Sequence, residues 1–166
     1  MADLIGACRA RDVDAARRAL SADPSLSGEL DEVLRDPALQ AVESGETAAI
    51  AVMLDLGFAI EQRVGSDGAT LLHAAAYSGD ACTVGLLLDR GASVAARDRR
   101  WGSMPLEWAC IGSGEAPTDV PAPDWVTVVQ MLIDAGASTA EVTVSADQPK
   151  PPSRDVAALL RAQGVL

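Results

Sequence analysis

The feature that most constrains this chain is an internal repeat. Ile50–Ala59, Val84–Ser93 and Val128–Ser138 are related segments, each a short helix with an apolar face followed by a glycine. Such a glycine can take the left-handed conformation that closes a helix. Gly57 and Gly91 are 34 residues apart, and Gly91 and Gly136 are 45 apart, the same period with an insertion of about eleven. Counting 34 back from Gly57 reaches Asp23, after a fainter copy at Ala15–Leu20. Counting only 28 forward from Gly136 reaches Gly164, after Val156–Leu160, so the last unit is shortened. A unit of this length cannot bury its apolar face alone, and its stability has to come from stacking on its neighbours.

A second series precedes these helices. Gly68-Ala69-Thr70-Leu71-Leu72-His73-Ala74-Ala75-Ala76-Tyr77-Ser78-Gly79 opens one unit, Gly102–Cys110 the next, and Pro37–Gly45 the one before. Pro37 and Pro105 suit the first turn of a helix, where no amide donor is needed. The run Ala74-Ala75-Ala76 lets the two helices of a unit approach closely.

These residues resemble the ankyrin family, whose pattern is roughly G-x-T-P-L-H-x-A-A-x-x-G, a second helix, then L-L-x-x-G-A. Residues 68–92 follow it at nearly every defining position, with Leu71 in place of proline; the next unit has Glu107 where histidine is expected. The match is strong from about 37 to 138 and faint at both ends. The resemblance implies an all-α, ankyrin-type solenoid of stacked helix–turn–helix repeats with short loop or hairpin fingers. A single domain, 1–166, then divides into approximate units 1–34, 35–68, 69–102 and 103–148, with an insertion at 114–123 and a truncated cap at 149–166. Pro149-Lys150-Pro151-Pro152 reads as an extended connector. The segment from Gly112 to Trp125, dense in glycine and proline, reads as an irregular loop, with Asp124 capping the helix that follows.

Composition narrows the partners. The formal net charge is -11, and Trp101 to Pro149 holds no lysine or arginine. An acidic surface of this kind disfavours nucleic acid and anionic membranes. Cys8, Cys82 and Cys110 are odd in number, show no metal-ligand spacing, and lie in apolar helical contexts where cysteine acts as a small hydrophobe. Gly112-Ser113-Gly114 lacks the lysine of a phosphate loop. The expectation is a chain with no metal and no cofactor. The N-terminus lacks the regions of a signal peptide, and the longest apolar stretch, Thr47–Ile60, contains Asp55 and is too short for a bilayer. A cytoplasmic location follows as an expectation.

The candidate site residues fall around the third and fourth units. Trp101, Trp108 and Trp125 lie within 25 residues of a chain that has few other aromatics. The resemblance places Trp101 at a fingertip. It also places Tyr77 and Ser78, with their counterparts Glu43 and Ser44 one unit earlier and Ile111 one later, on the concave face. Aromatic and arginine side chains are typical interface anchors. The expected partner-binding set is Tyr77, Ser78, Arg99, Arg100, Trp101 and Ile111, with the insertion as a flanking wall. The expected partner is a protein or peptide with a basic segment, and no catalytic residue is assigned. An alternative is an enzyme or small-ligand protein on the same scaffold. Its pocket would lie near His73, Glu107 and Trp108, with the imidazole and carboxylate as an acid–base pair. The resemblance gives His73, the only histidine, a structural role: bonding the loop of an adjacent unit.

Overall fold

The computed structural model describes residues 2–23, 25–26, 29–115, 120, 122–140, 142 and 151–165. Its described residues are all-helical apart from turns. Helices α1 (Ala2–Arg9) and α2 (Val13–Ala22) form the first pair, α3 (Leu30–Glu43) and α4 (Thr47–Asp55) the second. Then come α5 (Leu71–Ser78) with α6 (Ala81–Asp89), α7 (Pro105–Glu115) with α8 (Trp125–Asp134), and α9 (Arg154–Ala162). The helices of each pair pack together, and successive pairs pack in two rows, α3–α5–α7 and α4–α6–α8. At one end α1 rests on α4, and at the other α9 rests on α8.

Sequence dictates where these helices start and stop. Asp12, Asp80, Asp124 and Ser153 each accept the amide three residues on, at 2.8, 3.1, 3.0 and 3.3 Å, which satisfies an otherwise orphaned donor. Gly57, Gly91, Gly136 and Gly164 all have positive φ, the conformation their recurrence predicts. The core is aliphatic and small: Ala74 to Ala76 are buried along α5, among Leu71, Leu72, Leu87 and Leu106.

The structure corrects several expectations. Pro37 does not open a helix: α3 begins at Leu30 and runs through it, so the approximate unit boundary at 34 and 35 falls inside a helix. A mid-helix proline costs about 3 kcal/mol, and the added turns offset this by burying Leu30 and Leu34. The Asp31 carboxylate adds a bond from the Ala59 amide at 2.7 Å. Residues 112–115 are not loop but the last turn of α7. Among the described residues the fingers are turns with one isolated antiparallel bridge, Val64 to Ala69. Cys8 and Cys110 are buried, but Cys82 is exposed. Residues 116–119 and 121 of the insertion, Pro149 and Lys150 of the connector, and Glu141 and Asp147 of the acidic stretch lie outside the described residues. No described helix is long and apolar enough to cross a membrane.

Candidate functional site

The finger before α7 is organised by one carboxylate. Asp98 is buried and accepts the amides of Arg100 (2.8 Å), Trp101 (2.6 Å) and Ser103 (3.0 Å) and the Trp108 indole N–H (3.0 Å). Burial pushes its carboxyl upward, but these four bonds prevail and hold it below the usual carboxylate value. The next finger back is tied in as well. The Arg63 guanidinium donates to the carbonyls of Gly68 (3.0 Å) and Arg97 (2.6 Å), and the Arg99 amide donates to the Asp67 carbonyl (3.0 Å).

His73 and Glu107 hold equivalent positions in α5 and α7, and both work as caps. The His73 Nδ1 accepts from the Thr70 amide (3.2 Å) and lies 2.8 Å from the Thr70 hydroxyl. Its Nε2 lies 3.0 Å from the Ser103 carbonyl oxygen. A carbonyl only accepts, so Nε2 carries the proton and Nδ1 receives the Thr70 donors. Burial, the largest influence, pulls the imidazole below its ordinary value, although the Ser103 carbonyl and Asp98 pull the other way. One unit later the Glu107 carboxylate accepts the Met104 amide at 2.9 Å. Glutamate thus supplies the acceptor that the histidine Nδ1 supplies in the preceding unit, at the third helical position where a capping box places one.

Trp108 joins this buried layer to the surface. Its ring meets His73, Tyr77 and Trp101 edge-on, with centroids 5.5, 5.9 and 5.9 Å apart. Tyr77 donates to the Glu115 carboxylate at 2.5 Å; desolvation and then this carboxylate push the phenol up to about 12. Trp101 is 59% exposed, and the Arg100 guanidinium lies 4.7 Å above its ring centroid while pairing with Asp67 at 2.8 Å. A cleft of about 530 Å³ opens here, with Tyr77, Trp101, Trp108, Ile111, Asp67 and Glu115 in its lining. A second of about 300 Å³ shares Asp67, Tyr77 and Trp108 with it and extends past Ser78 to Glu43. Glu43, Tyr77 and Ile111 are equivalent positions in three successive first helices.

Of the residues expected to meet a partner, Tyr77, Trp101 and Ile111 line the larger cleft. Arg99 and Arg100 are exposed beside it, Arg99 with its stem against Gly68. Ser78 is buried and reaches only the smaller cleft. Of the alternative set, Trp108 lines the larger cleft, whereas His73 and Glu107 are buried behind it and are absent from its described lining. Sequence reasoning did not single out Asp67 or Glu115 for this surface. Asp67 arrives from the neighbouring finger, and Glu115 through the unforeseen last turn of α7. The close contact beneath that turn is legible only in three dimensions. A Cβ on Gly112 would lie 2.0 Å from the Tyr77 carbonyl oxygen, which also accepts the Trp125 indole N–H at 2.9 Å.

No curated protein matches the chain. Residues 67–99, which run from the Asp67 that lines the cleft through His73 and Tyr77 to the Arg99 beside it, match the family model for the ankyrin repeat. This match identifies residues 67–99, which hold the α5–α6 pair with its capping histidine and glycine stop, as an ankyrin repeat.

Proposed function

We propose that this protein is a non-catalytic binding module whose partner, a protein or peptide carrying a basic segment, docks in the groove running from Glu43 past Tyr77 to Ile111. The observation that carries the reading is the pair of adjoining clefts with shared walls, bordered by an exposed tryptophan. Large aromatics left in contact with water beside a concave surface are typical of interface anchors. The fingertip that presents Trp101 is held by Asp98, so little order has to be created on binding. His73 and Glu107 are both engaged as helix caps, which favours binding over an acid–base role.

Affinity capture from the source cell with wild type and with a Trp101→Ala/Ile111→Ala variant tests this. A partner retained by wild type and lost by the variant supports the groove. Retention by both, at equal yield, removes it as the binding face.

A further inference from the structure

The groove's charge is one-sided. Glu43, Asp67 and Glu115 are spread along its described lining, which includes no arginine or lysine. Between them stand Tyr77, Trp101 and Trp108, whose ring faces attract cations. The chain supplies its own cation at one edge. The Arg100 guanidinium, most of it solvent-exposed, stacks on Trp101 and pairs with Asp67, two members of the cleft lining. The fold therefore already displays the contacts a guanidinium would make here: a carboxylate to bond and an indole face to cover.

We propose that the larger cleft seats the side chain of an arginine from the partner's basic segment, and that Arg100 is an internal competitor for Asp67, displaced when that arginine enters. The inference rests on the binding reading above and narrows it to one side-chain chemistry. A guanidinium suits the site better than a neutral group of the same shape: it is planar, stacks on indole, and carries charge toward the Asp67 and Glu115 carboxylates of the lining. Arg100 occupies one of these partners without filling the cleft, because it lies outside the described lining.

The test uses N-acetyl-arginine methylamide as the probe and the indole N–H signals of nitrogen-labelled full-length chain as the readout. The expected result is a saturable shift of the Trp101 and Trp108 signals, with the Trp125 signal unmoved. The citrulline analogue, equal in shape but neutral, should leave all three in place. An Asp67→Asn/Glu115→Gln variant, which keeps shape and hydrogen-bonding atoms, should lose at least tenfold in apparent affinity. Arg100→Gln should tighten binding by about threefold, the worth of one exposed ion pair. An equal response to arginine and citrulline, no response at all, or weaker binding by Arg100→Gln would each overturn the proposal. The two readings fail separately. A partner that depends on Trp101 and Ile111, found together with indoles that ignore arginine, sinks the guanidinium seat and leaves the docking groove standing.

Discussion

Two buried ionisable side chains within the same fingertip network set opposite demands on solvent. Asp98 is held below its ordinary value because four donors converge on it, while burial holds His73 below its own against the opposite pull of the Ser103 carbonyl and Asp98. Both conditions make the folded chain release protons more readily than the unfolded one. For His73, whose ordinary value is 6.5, folding stability is therefore complete above that pH and declines as pH falls below it, since only the unfolded chain gains the proton. Asp98 adds a second decline below its ordinary value of 3.8. Tyr77 works on the alkaline side: its phenol is raised from 10 to about 12, so stability is present below 10 and lost as pH climbs between the two. Urea midpoints measured across pH should show the first decline in wild type and a flatter profile in His73→Gln. A variant profile that still falls below pH 6.5 would exclude His73 as its source. The structural role of His73 was readable from its place in the repeat. That of Asp98 was not, because its donors come from a loop whose path no local pattern specifies.

At the scale of the element, helix limits divide into those written locally and those imposed by packing. Asp124 announces α8 in the sequence because an N-cap needs only a side chain three residues before a free amide, and the structure shows Asp80 capping α6 in the same way. Asp80 does more than Asp12: it is buried, and its Thr83 partner lies 2.7 Å from the Thr47 hydroxyl of the preceding pair. We expect Asp80→Ala to cost about 2 kcal/mol in chemical denaturation and Asp12→Ala about half of that. Equal losses would mean that the link between pairs contributes nothing. The misread limits are those where glycine and proline rules lose to burial. Leu30 and Leu34 carry α3 through Pro37, and Gly112 keeps α7 helical because α5 approaches too closely for any side chain. Gly112→Ala should therefore destabilise by about 3 kcal/mol, since the added carbon meets fixed backbone. Gly85→Ala, where the added carbon meets only the flexible end of Met131 at 3.2 Å, should stabilise by about 0.5 kcal/mol. Paired denaturation curves that move in the same direction would contradict this account.

For the whole molecule, the repeat period was legible because three successive pairs of helices end on the same glycine stop, Gly57, Gly91 and Gly136, and two-row packing follows from their apolar faces. The groove was legible only in outline. Tyr77 and Ile111 could be placed by equivalence between units and Trp101 by the resemblance, whereas Asp67 and Glu115 reach it through contacts between segments distant in sequence. All three tryptophans lie between residues 101 and 125, in or beside the fourth unit. Intrinsic fluorescence excited at the indole band is consequently a local gauge: it reports the α7–α8 end of the stack and is blind to α1–α4. Circular dichroism of the backbone weights every helix alike. In a stack whose pairs are coupled only to their neighbours, the two optical signals are free to part company. We expect ellipticity to begin falling at a lower urea concentration than the indole emission shifts, because the first pair has a single neighbour on which to rest, so that the glow of this protein outlasts part of its fold.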